Sequence, residues 1–286
     1  MMEKIFVIKI GGNVIDDNAA LAIFLENFAA IEGKKILVHG GGKIATKIGD
    51  KLGIQSKYIN GRRLTDAATI DLVTMVYGGL VNKTIVAKLQ SLQCNAIGLT
   101  GADANIIPAT KRRVVNLNKN NIGEEGAGSK NGPEGASGSI DYGFAGDISP
   151  GGVDINTLNI FLSNGFTMIV APLTHDGKGQ MLNTNADTIA SALAAGLSKD
   201  YEVRLVYCFE KKGVLGDMND NGSVIPLITK EKYRQLTDDN KLFEGIIPKI
   251  DNAFAAIENG VKEVLIGDAN DLLQNVSANT CGTLIR

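Results

Sequence analysis

The stretch IFVIKIGGNVI, Ile5 to Ile15, decides how this chain is read. Every residue of IFVIKI is apolar except Lys9, and the glycine pair Gly11–Gly12 follows at once. A short, continuous apolar run of this kind predicts a strand buried on both faces, as in the middle of a parallel sheet. A lone ammonium in a dry core is costly, so Lys9 needs an anionic partner or an exit to water. It stands at the carboxyl end of the predicted strand, where open α/β sheets bind their ligands. Its head either meets a phosphate there or snorkels out past an edge strand.

Outward from this stretch, short apolar runs alternate with helical periodicity. KKILVHG, NAIGLTG, FTMIVAPL, EVRLVYCF and EVLIG read as strands. Apolar residues at helical spacing mark helices over 18–31, 153–164, 184–197 and 250–261, and GGKIATKIGDKLG reads as a short one. Asp66 suits the cap of a long helix from Ala67 to about Ser91. Asn60-Gly61 predicts a tight hairpin turn ahead of Arg62 and Arg63. The fold class expected is α/β, with helices on both faces of a mostly parallel sheet. One segment breaks the pattern. From 119 to 140 the chain is KNNIGEEGAGSKNGPEGASGSI, too poor in apolar residues to offset its ordering entropy, and it reads as a mobile surface insertion, with a substrate-gating loop as the alternative.

Bulk composition excludes several functions. The chain has 286 residues, 44% hydrophobic and 21% charged, with net charge −2, which leaves no broad basic surface for nucleic acid. Three cysteines, Cys94, Cys208 and Cys281, form no CxxC pair, as expected of a reducing cytoplasm. His39 and His175 are too few for a histidine-rich metal site. The N-terminus enters a strand after Glu3 and Lys4 without a signal-like segment, and no apolar run approaches the ~20 residues of a membrane span.

The candidate chemistry lies in loops. Gly11-Gly12 and Gly40-Gly41-Gly42 each follow a strand and open a helix, where free backbone N–H groups suit phosphate. Neither matches a Walker A loop or the dinucleotide GxGxxG pattern, which disfavours an NAD-dependent oxidoreductase. Lys249, after Pro248, sits in the first turn of a predicted helix, where a cation opposes the dipole unless an anion docks beside it. In MLNTNADTIASAL, Asn185 and Asp187 suit the helix start, which leaves Asn183 free. Asp187 could also orient lysines across a cleft. Arg63 either clamps a carboxylate or is a solvated turn residue.

KIGG, HGGG, NGRR, NTNAD and GIIPK, in this order, resemble the amino-acid kinase family over nearly the whole chain outside the insertion. The resemblance implies an αβα sandwich with two lobes, residues 1–172 binding an N-acyl-L-glutamate and making dimer contacts, and residues 173–286 binding ATP. It implies that the γ-carboxylate of N-acetyl-L-glutamate is phosphorylated at the expense of ATP in arginine biosynthesis, with succinyl as the alternative acyl group. Lys9 and Lys249 would stabilise the transferring phosphoryl group, and Asp187 would hold them in place. Gly11, Gly12, Gly41 and Gly42 would supply N–H groups to phosphates, the last two also facing the acceptor, while Arg63 and Asn183 would grip its carboxylate end. Mg2+ would arrive with the nucleotide. A γ-carboxylate is already ionised at neutral pH, so the attack needs no general base. The pattern departs from the family in places: relatives have Thr/Ser-Asp where this chain has Phe209-Glu210, the loop near Gly98–Asn105 reads unusually as TGADAN, and Glu210 is placed among the nucleotide contacts. Arginine-inhibited relatives carry an extra helix before the first strand, so a homodimer without arginine feedback is expected. The rivals are another kinase of the family and a non-catalytic nucleotide-binding regulator.

Overall fold

Eight strands form the central sheet of the computed structural model, which describes residues 2–59, 61–116, 139–217, 219–239, 242 and 246–286. They are β1 (Lys4–Ile10), β2 (Lys34–His39), β3 (Ala96–Leu99), β4 (Thr167–Val170), β5 (Glu202–Phe209), β6 (Leu227–Ile228), β7 (Glu263–Asp268) and β8 (Thr283–Ile285). Their spatial order is β6-β8-β7-β5-β1-β2-β4-β3. The run from β7 to β3 is parallel throughout, and β8 alone reverses direction against β7, carrying the short β6 with it. The chain winds from β1 outward through β2, then returns to build the other half from β5. The strand order therefore reverses at β1, the kind of position beyond whose carboxyl end open α/β sheets bind ligands.

Side-chain alternation divides β1 between two cores. Ile5 and Val7 pack with Leu158, Ile189, Leu193 and Ile250, from the helices Ile155–Ser163, Ala186–Leu197 and Ile247–Glu258. Phe6, Ile8 and Ile10 pack with Phe24, Phe28, Val73 and Ile85 on the other face. Both faces are covered, which is why β1 is apolar at nearly every position. Each fully buried side chain of this kind contributes roughly 1.5–3 kcal/mol. Lys9 shares the face of Ile5 and Val7, one step before the sheet ends.

The predicted strands are present, and Asp66 does cap its helix, accepting from Thr69 N at 2.8 Å. That helix runs from Ala67 to Ser91 but is π-helical over Thr74–Val81. By length and composition alone it reaches the size of a membrane span, where the sequence led us to expect no such segment; 44% of its most apolar window is buried inside the fold. The hairpin exists, pairing Tyr58 with Arg63. The segment 119–140 lies outside the described residues except for Ser139 and Ile140, which pair with Asn116 and Val115. Sequence periodicity missed β6, β8 and the helix Lys230–Asp238. The edge strands are only two and three residues long, too short to show a period. β8 is nevertheless tied in: Glu263 on β7 pairs with buried Arg204 on β5 and accepts from Arg286 Nη2 at 2.7 Å, just past β8.

Candidate active site

Strand register places the first residues of the site. Lys9 lies opposite Val38 on β2 and Tyr207 on β5. Its ammonium is 2.8 Å from Asp187 Oδ1, and its side chain is 10% exposed. The contact is an ion pair without aligned hydrogen-bond geometry. The NTNAD stretch divides its labour as the sequence suggested. Asn185 caps the helix Ala186–Leu197, accepting from the N–H groups of Asp187 and Thr188 at 2.7 and 3.3 Å. Asp187 is thereby free to face Lys9, and Asn183 turns the other way, donating to Thr65 Oγ1 at 3.0 Å.

Lys249 enters from the first turn of the helix Ile247–Glu258, and its ammonium lies 3.4 Å from the centre of the Phe209 ring. The Lys9 ammonium is 5.2 Å from the same centre. Two lysines 240 positions apart thus converge on one ring and one carboxylate. Burial lowers the Lys249 pKa; Asp187 and Glu210 act in the opposite direction, and Lys9 adds to the lowering. Glu210 is exposed and close enough for its charge to be felt there.

The glycine loops meet beside this pair. Gly11 and Gly41 stand at the starts of the helices Gly12–Asp16 and Gly42–Lys51, and neither start has a side-chain cap. The first-turn N–H groups there are without a side-chain acceptor. Gly41 has φ +149°, and a Cβ there would stand 3.1 Å from the Tyr77 ring. Only glycine lets the loop lie that close to the π-helical turn. His39, the last residue of β2, is wholly buried. Its Nδ1 bonds the Gly40 carbonyl at 2.7 Å, and Asn82 Nδ2 donates to its Nε2 at 3.1 Å. Desolvation pushes the imidazole down to about 4, so it is neutral at physiological pH.

Arg63 is not a solvated turn residue. It is 7% exposed, lies over the Tyr58 ring, and donates through Nη2 to the Gly42 carbonyl and to Thr46 Oγ1, both at 2.9 Å. Thr65 connects it to Asn183, donating to the Arg63 carbonyl at 3.2 Å while accepting from the Asn183 amide. The Thr65 backbone in turn bonds Tyr142 and Phe144. Thr65, Tyr77 and Gly143, which bridges to Thr65 through the backbone, are the neighbours that the sequence reading did not single out. They are single residues in ordinary surroundings, and no spacing rule marks them.

Two lysines, a carboxylate, two glycine turns without side-chain caps and a buried arginine are thus gathered around the ends of β1 and β2. The amino acid kinase family model matches residues 4–268. The chain belongs to the amino acid kinase family. Among members of the amino acid kinase family, the chain is 51% identical over 283 residues to an acetylglutamate kinase of Cytophaga hutchinsonii, covering 99% of this chain and 98% of the relative. It is 50% identical over 275 residues to one of Bacteroides thetaiotaomicron, covering 96% and 97%. A crystal structure of N-acetylglutamate synthase from Neisseria gonorrhoeae, with coenzyme A and N-acetyl-glutamate, superimposes with a TM-score of 0.74 at 21% identity over 98% of this chain. This chain spans 59% of that protein's length, and the likeness is one of fold. The amino acid kinase fold accounts for the sheet order, with β1 at its centre.

Proposed function

We propose that this chain transfers the γ-phosphoryl group of ATP to the γ-carboxylate of N-acetyl-L-glutamate, a step of arginine biosynthesis. The observation that carries the reading is the meeting of Lys9 and Lys249 at Asp187, beside two uncapped glycine turns. High identity to acetylglutamate kinases over nearly the full chain supports the same acceptor.

The residues divide the work as follows. The two ammonium groups draw charge from the equatorial oxygens of the transferring group, where most of the barrier lies. The N–H groups after Gly11 and Gly41 receive phosphate oxygens. Asp187 keeps Lys9 aimed into the cleft. It acts as organiser rather than base, because the acceptor carboxylate arrives ionised. Arg63 and Asn183 hold the acceptor's carboxylate end. Residues 1–172 form the acceptor half and 173–286 the nucleotide half, with Glu210 at the nucleotide side. Magnesium would be supplied with the nucleotide, screening phosphate charge and held largely by phosphates and water rather than by a protein cage. A reducing cytoplasm suits the three free cysteines. Met75 and Leu80, both more than half exposed on the long helix, are the apolar surface a second copy would cover in a homodimer.

The test is ADP release coupled to hydroxylamine trapping of the acyl phosphate, with acetyl-glutamate, succinyl-glutamate, glutamate, aspartate, carbamate and UMP as acceptors. Activity on acetyl-glutamate above the others is expected. Turnover on free glutamate or UMP alone would refute the acceptor, and none on any acceptor would favour a nucleotide-binding regulator.

A further inference from the structure

Phe209 stands where its side chain meets both lysines. It is the last residue of β5, paired with Asp268 on β7, and β1 has already turned away at Gly11. Alternation along β5 puts Phe209 on the same face as Tyr207, and register puts Tyr207 opposite Lys9. The two rings stack with centroids 6.2 Å apart and planes 24° from parallel. Tyr207 is anchored through its hydroxyl, 2.7 Å from Ser191 Oγ on the helix that presents Asp187. Little open space remains between Asp187, Tyr207, Phe209, Lys249 and Asn252, with a cavity of about 10 Å³. Two like charges converge here, and the nearer carboxylate, Asp187, is engaged by Lys9, while Glu210 is exposed. What faces the Lys249 ammonium at 3.4 Å is the Phe209 ring.

We propose that Phe209 is a positioning residue for the phosphoryl-transfer lysines, its π face holding the Lys249 ammonium over the cleft until the nucleotide's phosphates replace it. The inference rests on the functional reading above. A lysine side chain has four rotatable bonds, and a ring contact narrows them without a formal counter-charge that would compete with phosphate. The charged groups facing Lys249 are Asp187 from the helix Ala186–Leu197, Lys9 from β1 and Glu210 after β5. The adjoining Tyr207 is kept neutral by burial. An aromatic face adds to the groups that favour the ammonium form, so its loss should lower the Lys249 pKa further.

The experiment compares Phe209→Leu and Phe209→Trp with the parent chain, each checked for folding by thermal melting. Lys249 is titrated by competitive amine acylation across pH with peptide mass readout, and kcat and both KM values are measured. In F209L we expect the Lys249 titration to move to lower pH, by a factor of about three to ten in proton affinity. We expect kcat to fall about tenfold with KM values changed less than threefold, and F209W to restore both properties. An unshifted titration in F209L overturns the inference, as does an F209W variant no better than F209L. A shifted titration alongside a Lys249→Ala variant that still turns over would instead overturn the catalytic reading and leave the ring–ammonium contact standing.

Discussion

Arg63 Nη2 lies 2.9 Å from the carbonyl oxygen of Gly42, so the residue assigned to the acceptor also holds the glycine loop assigned to the phosphates. One guanidinium can hold the loop and still present donors because its planar fork has several fixed N–H groups. Arg63→Lys keeps the charge and loses the fork. It should raise KM for acetyl-glutamate by about tenfold or more, with a smaller change in KM for ATP. Steady-state kinetics with each substrate varied in turn would show this; an unchanged acceptor KM would remove Arg63 from the acceptor site.

The lysine pair is tested by truncation. Lys9→Ala and Lys249→Ala should each lower kcat by roughly a hundredfold or more, while nucleotide affinity by fluorescence titration changes far less. Asp187→Asn should fall between these variants and the parent chain, because the ammonium groups remain but Lys9 loses its partner. Turnover close to that of the parent in either alanine variant would refute the charge-stabilising role.

Gly143 tests the second layer of the acceptor side. Its φ is +67°, and a Cβ added there would lie 2.1 Å from the Thr65 carbonyl oxygen. Gly143→Ala must therefore displace Thr65, which holds both Arg63 and Asn183. The expected result is a raised acceptor KM and a lowered melting temperature, with the ATP KM less affected. Kinetics identical to the parent would show that this contact does not position the acceptor residues.

Acid should unfold the chain partly through His39. Its folded value of about 4 lies below the ordinary 6.5. Between those values the unfolded chain binds the proton and the folded one does not. The stability from a neutral, buried imidazole is fully present above about pH 6.5 and is lost progressively as pH falls toward 4, by roughly 3 kcal/mol in all. Urea unfolding at pH 7, 5.5 and 4 would measure it. A His39→Asn variant, which keeps a donor near the Gly40 carbonyl but cannot titrate, should lose less stability over that range. Parallel pH profiles for the two proteins would exclude the imidazole as the source.

Much of the fold was legible in the sequence because burial on two faces leaves a plain mark. IFVIKI and EVRLVYCF could be read as central strands since both sides of each must be apolar, and Asp66 and Asn185 could be read as helix starts since uncapped N–H groups need an acceptor nearby in the chain. The edge strands β6 and β8 escaped, being too short for any period and held instead by pairing with each other and, for β8, with β7. The same division runs through the site. The order of KIGG, HGGG, NGRR, NTNAD and GIIPK picked out the candidate residues, because loop chemistry is local. Which of them touch is a property of strand register and helix packing. Only the folded chain brings Lys9 to Asp187, joins Arg63 to Gly42, and sets one phenylalanine ring against two ammonium groups, because such contacts depend on where distant segments are held by the sheet between them.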